Sequence, residues 1–104
     1  MNLATARTFL FTPGDRPDRF AKAAASGADV VVLDLEDAVA PERKTEARQH
    51  IREWLRDGHP ALVRINASGT RWHDDDLAMV AETAAAVMVP KAEDPAGLAV
   101  LARR

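Results

Sequence analysis

The sequence predicts an α/β fold in which a parallel sheet is built from alternating strand and helix units. Three observations lead there. Four short apolar runs recur along the 104 residues. Most of these runs are apolar on both faces, as are strands that a parallel sheet buries on both sides. Segments of helical periodicity separate them.

The first strand is expected over residues 8–12, Thr8-Phe9-Leu10-Phe11-Thr12. A helix over 17–26 follows, with Pro17 at its start and Gly27 just past its end. The second strand covers 29–34 and ends on Val30-Val31-Val32-Leu33-Asp34. The second helix covers 42–57, where Ala47, Ile51, Trp54 and Leu55 form one apolar stripe. Arg43, Lys44, Arg48, Arg52 and Glu53 are assigned to its wet side, and Gly58 and Pro60 end it. The third strand covers 61–65. The third helix covers 74–84, with Leu77, Val80, Ala81 and Ala84 on one face. The fourth strand covers 86–90, and a fourth helix is expected from Pro95 to the end.

Alternation of this kind implies right-handed crossovers between parallel strands. Two architectures satisfy it: an open doubly wound sheet, or part of an eight-stranded barrel. A full barrel takes about 250 residues. Periodicity does not choose between them, and a chain of 104 residues could supply only half of a barrel, as a single domain over residues 1–104.

Composition narrows the function. Hydrophobic residues make up 47% and charged residues 29%, which supports a packed core and argues against disorder. The net charge of -2 offers no broad basic face, so nucleic acid is not an expected partner. The absence of cysteine excludes disulfides and thiolate metal sites. No apolar run approaches the roughly 18 residues of a membrane span, and no secretory pattern stands at the start. A cytoplasmic location without membrane association is the expectation. Asn66-Ala67-Ser68 fits a glycosylation pattern and is read as a chance match.

In parallel β-α folds, polar side chains that carry chemistry cluster just after the strands. Here the strands run into Pro13-Gly14-Asp15-Arg16-Pro17, Asp34-Leu35-Glu36-Asp37, Arg64-Ile65-Asn66 and Pro90-Lys91-Ala92-Glu93-Asp94. Asp34, Glu36 and Asp37 repel one another unless a cation, an arginine or a proton compensates. They suit a hard divalent cation such as magnesium, held directly or through water. They also suit helix capping and loop amides. Arg64 interrupts an apolar strand, and a buried guanidinium needs a partner. It fits an ion pair with Asp34 or Glu36, and it fits a fork that grips a substrate carboxylate. Lys91 is placed to form a Schiff base or to pair with Glu93. Arg16, Arg19 and Lys22 suit either a phosphate-rich ligand or a solvated basic face. His50, His59 and His73 show no metal-ligand spacing and are read as surface residues; Trp54 is read as core.

Arg7-Thr8-Phe9-Leu10-Phe11-Thr12-Pro13-Gly14, Asp34-Leu35-Glu36-Asp37-Ala38-Val39, Lys44 with Ala47-Arg48, Val63-Arg64-Ile65-Asn66 and Val89-Pro90-Lys91-Ala92-Glu93 stand in an order and spacing that resembles citrate lyase β-subunit-like proteins of the HpcH/HpaI aldolase superfamily. The resemblance covers essentially the whole chain. It implies a (β/α)8 TIM barrel and a homo-oligomer, a trimer or hexamer. It implies a magnesium-dependent lyase that makes or breaks a carbon–carbon bond in a 3-hydroxy acid, often as a coenzyme A thioester such as citryl-CoA or malyl-CoA. Magnesium would polarise the keto-acid carbonyl and stabilise the enolate. The resemblance assigns Arg64 to the keto acid, with Asn66 and Lys91 beside the substrate. It places Glu36 and Asp37 near the metal and its waters, and Arg16, Arg19 and Lys22 toward coenzyme A. The family's direct metal ligands, a glutamate and an aspartate, come from strands after the fourth. The chain ends at Arg104 before either, so it is expected to be a fragment that is inactive alone.

Overall fold

The computed structural model describes residues 2–83 and 85–90, with the backbone of 98–101. Strands β1 (Phe9–Pro13), β2 (Val30–Asp34), β3 (Leu62–Arg64) and β4 (Ala86–Pro90) appear where apolar runs predict them, within a residue at each end. Helices α1 (Phe20–Ala24), α2 (Lys44–Arg56) and α3 (His73–Thr83) connect them. A 3-10 turn precedes α1 at Pro17–Arg19 and another precedes α2 at Pro41–Arg43. In both the proline occupies the first turn, where its missing N–H costs nothing.

The strands pair in chain order, β1-β2-β3-β4, all parallel. The three helices of the described residues lie on one face of the sheet. Phe20 of α1, Ala47 and Ile51 of α2, and Met79 and Val80 of α3 pack with Leu33, Val63 and Val87 in one buried cluster. The opposite face carries a second cluster, Val30, Val32, Leu62 and Met88. Strand order without reversal and helices on one side decide between the two architectures. A doubly wound sheet reverses its strand order and puts helices on both faces; this arrangement is that of consecutive barrel units.

Of the fourth helix expected from Pro95 to the end, only residues 98–101 lie among the described residues, and they are not helical. Leu98–Leu101 is a strand, β5, antiparallel to β4. Leu-Ala-Val-Leu is too short for periodicity to separate helix from strand, and the free edge of β4 offers a row of backbone groups that a strand satisfies.

Helix α2 buries its expected stripe, with Ala47 and Ile51 in the core and Trp54 and Leu55 packed against it, but two charged residues join that face, and α3 departs from expectation in part. In α2, Lys44 is buried together with Ala47 and Ile51, and Arg48 is largely covered. In α3 the buried residues are Asp76, Met79 and Val80, while Ala81 is exposed. Leu77 and Val80 face the core as expected, Ala81 does not, and Ala84 lies outside the described residues. Trp54 sits half-buried against the core, edge-on to Phe20 and stacked on His59.

Candidate functional site

The register aligns the strand ends. Pro13 lies opposite Asp34, Asp34 opposite Arg64, and Arg64 opposite Met88. Alternate residues of a strand share a face. Asp34 therefore follows Val30 and Val32 onto the face opposite α1, α2 and α3, and Arg64 follows Leu62 onto the same face. The two side chains meet there. Arg64 Nε donates to Asp34 Oδ1 at 2.7 Å and an Nη donates to Oδ2 at 2.6 Å. This side-on pairing leaves the other guanidinium nitrogen, Nη1, without a hydrogen bond among the described residues. The guanidinium lies 4.8 Å from the Phe11 ring centre, within cation–π range.

Asp34 is fully buried. Its oxygens also accept the backbone N–H of Glu36 (2.9 Å) and of Ala38 (3.0 Å), so the carboxylate shapes the loop after β2. Both of its sequence-level readings are therefore realised at once, ion pair and loop acceptor. Burial alone would push its carboxyl up. The Arg64 fork and the two amides outweigh this and hold it below its ordinary range.

Glu36 stands beside the pair, with Oε1 at 3.6 Å from Arg64 Nε. Burial and the charge of Asp37 push its carboxyl above the usual range, against the pull of Arg64. A carboxyl of this kind at a rim is suited to carry a proton. Asp37 is exposed at the mouth of the same loop.

The first loop is fastened to this one. Gly14 N–H donates to Asp34 O at 2.8 Å. A Cβ at Gly14 would lie 2.8 Å from that oxygen and 2.8 Å from Ile51 Cδ1, so only glycine fits. Asp15 reaches Arg43 at 2.8 Å.

The family profile of HpcH/HpaI aldolase/citrate lyase matches residues 7–103. The chain belongs to that family. A citrate lyase subunit beta-like protein of Mycobacterium tuberculosis is 52% identical across 100% of this chain, which spans 38% of that relative's length. An L-malyl-CoA/beta-methylmalyl-CoA lyase of Cereibacter sphaeroides is 44% identical over 82% of the chain and 29% of its own length. The structure of Mycobacterium tuberculosis protein CitE in complex with magnesium, acetoacetate and coenzyme A superposes with a TM-score of 0.72 at 47% identity, over 91% of this chain and 36% of that one.

In this HpcH/HpaI chain the other expected residues fall in different places. Arg16, Arg19 and Lys22 line a cleft of about 520 Å³ along β1 and α1, with Leu10, Phe11 and Asp18. Arg16 is paired with Asp18 at 3.0 Å. Asn66 is buried and turned inward, its amide donating to Asp76 Oδ2 at 2.6 Å. Lys91 and Glu93 lie outside the described residues. His50 and His73 are half-covered, not freely exposed, and His73 Nδ1 is 2.8 Å from Asn66 O. Among the described residues no three His, Cys, Asp or Glu side chains gather to hold a metal ion. With Asp34 committed to Arg64, Glu36 and Asp37 are the carboxylates left on this loop; they suit contact with the waters that magnesium keeps and are not part of a grouped ligand set among the described residues. These residues do not form a magnesium site by themselves.

Two buried groups escaped the sequence reading. Lys44 and Asp76 stand among charged neighbours that look like solvated runs. The available signal was positional: Lys44 is three residues before Ala47, and Asp76 three and four before Met79 and Val80, each at helical spacing from the core face.

Proposed function

We propose that the protein of which this chain is part is a magnesium-dependent carbon–carbon lyase. It would act on a 3-hydroxy acid or its coenzyme A thioester, of citryl-CoA or malyl-CoA type, and release acetyl-CoA or a similar thioester with a 2-keto acid. The observation that carries this reading is the Asp34–Arg64 pair at the strand ends, with Glu36 Oε1 3.6 Å from the guanidinium. Asp34 holds the guanidinium still by two of its donors. The nitrogen that remains is left to a carboxylate of the keto acid, by a charge-assisted hydrogen bond. Glu36 holds a proton at its carboxyl beside that carboxylate, and Asp37 orders water at the mouth. The cleft of Arg16, Arg19 and Lys22 takes the phosphates of coenzyme A, and Lys91 lies on the substrate side. The metal's direct ligands are assigned to groups other than those described. Asn66 acts through Asp76 rather than on substrate.

The test is turnover by the intact protein. Magnesium-dependent cleavage of citryl-CoA or malyl-CoA, or the reverse condensation, is expected. An intact protein that binds magnesium and processes no acyl-CoA or 3-hydroxy acid contradicts the reading.

A second reading is a non-catalytic half-barrel that dimerises. The observation that favours it is the row Phe9, Leu10 and Phe11, exposed on β1 at 38–43%. Light scattering of the 104-residue chain separates the two. A monodisperse dimer favours a self-standing half-barrel, and aggregation favours a part of a larger barrel.

A further inference from the structure

We infer that Lys44 is a positioning residue that sets the Glu36 carboxyl beside Arg64. The inference rests on the lyase reading for its consequence in turnover, and on the geometry below for its physical content.

Lys44 begins α2, yet it is only 5% exposed. Its Nζ donates to Leu35 O at 2.8 Å and to Glu36 O at 2.9 Å. Both acceptors are backbone carbonyls of the loop that carries Glu36. On another side the ammonium lies 4.9 Å from the Trp72 ring centre. Trp72 belongs to the segment between β3 and α3. The cation thus joins the loop after β2 to the loop after β3.

One turn further along the same helix, Arg48 repeats the arrangement. Its Nε donates to Asp76 Oδ1 at 3.0 Å. The other oxygen of Asp76 accepts Asn66 N–H at 3.0 Å and the Asn66 amide at 2.6 Å. Asn66 is two residues beyond Arg64. One face of α2 therefore anchors both rim loops, Lys44 under the Glu36 side and Arg48 under the Arg64 side.

A buried ammonium is an expensive filler. Burial presses Lys44 toward its neutral form, against the fields of Asp76, Asp34, Glu36 and Asp37. An apolar side chain of similar length would fill the space without that cost. What it would not do is hold two carbonyls that face one point.

The experiment compares Lys44→Met, Lys44→Gln and Lys44→Arg in the intact protein. Three quantities are read: turnover, affinity for oxaloacetate, and hydrogen exchange at the amides of Glu36 and Ala38. In Lys44→Met the Asp34–Arg64 pair is untouched, so oxaloacetate affinity stays within about threefold. Turnover falls roughly ten- to a hundredfold, the scale of an ångström-sized displacement. Lys44→Arg, which keeps a cation with several donors, recovers most of it. Exchange at Glu36 and Ala38 rises about tenfold or more in Lys44→Met, while the β2 amides keep their protection. If affinity, turnover and unfolding temperature fall together, or if neither Lys44→Met nor Lys44→Gln folds, Lys44 serves the fold alone and the inference is overturned. Wild-type turnover in Lys44→Met overturns it equally. An intact wild type without lyase activity sinks the lyase reading only; the exchange measurement then decides this inference, for it if the two amides are released and against it if they are not.

Discussion

Asp34 and Arg64 face each other across the β2–β3 pair at the strand ends, joined by two hydrogen bonds of 2.7 and 2.6 Å on the sheet face opposite α1, α2 and α3. Asp34 is fully buried, and Arg64 is mostly so. Removing one partner strands the other. Asp34→Ala is expected to cost about 3–5 kcal/mol of folding stability, the range for breaking a buried pair. The double variant with Arg64→Ala should cost less than the sum of the single ones, because the second change removes the stranded charge. Urea denaturation of the four proteins reads this out; simple additivity contradicts it.

Asp34 and Glu36 respond to pH in opposite senses. The folded Asp34 carboxyl lies below its ordinary value of 3.8. Its contribution is therefore present above that value and lost as pH falls through the depressed one. Glu36 is raised above 4.5. It favours the folded state below that value, and the advantage is lost as pH rises through the raised one. Glu36→Gln should thus stabilise the protein at pH 7 and leave it unchanged near pH 3. Denaturation midpoints at the two pH values check the sign, and a loss of stability at pH 7 contradicts it.

Asp74, Asp75 and Asp76 open α3 together, and only Asp76 is buried. It accepts from Arg48, from Asn66 N–H and from the Asn66 amide. Asp76→Ala is expected to cost about 3–5 kcal/mol. Asp75→Ala, on the exposed side, should stay within about 0.5 kcal/mol. Equal effects in thermal melts would contradict the burial that separates them.

Gly14→Ala brings a methyl group to 2.8 Å from Asp34 O and from Ile51 Cδ1. Backbone cannot move aside as a flexible side chain does, and a destabilisation of about 1–3 kcal/mol is expected, the cost of overfilling a packed site. Gly27→Ala meets no atom within 4 Å but is strained by a φ of 87°; its cost should be about 1 kcal/mol, the scale of a left-handed backbone for a residue with a Cβ.

Much of this architecture is legible in the sequence. Strands apolar on both faces, such as Val30-Val31-Val32-Leu33, have little choice but a covered sheet. The proline starts and glycine ends bracketed the helices. Arg64 announced itself as a charge inside an apolar run. Barrel and open sheet were separated by which face the helices take, a tertiary property that periodicity does not carry. Leu98–Leu101 became a strand because an edge lay beside it, which local sequence does not record. Lys44 and Arg48 read as wet residues, and Asp76 goes unmarked in an acidic run, because charge is usually solvated. Their burial depends on partners from two other loops that come together only in the fold.

The most direct test of the account is the affinity of the intact protein for oxaloacetate, measured by calorimetry for wild type, Arg64→Lys and Arg64→Ala, with circular dichroism confirming that each is folded. A grip by the guanidinium predicts a loss of about 2–5 kcal/mol in Arg64→Ala, the range for truncating one side of a buried charged hydrogen bond. Arg64→Lys should fall between, since lysine keeps the charge and loses the planar fork. Oxaloacetate bound by a folded Arg64→Ala as tightly as by wild type would contradict the account and remove Arg64 from the site.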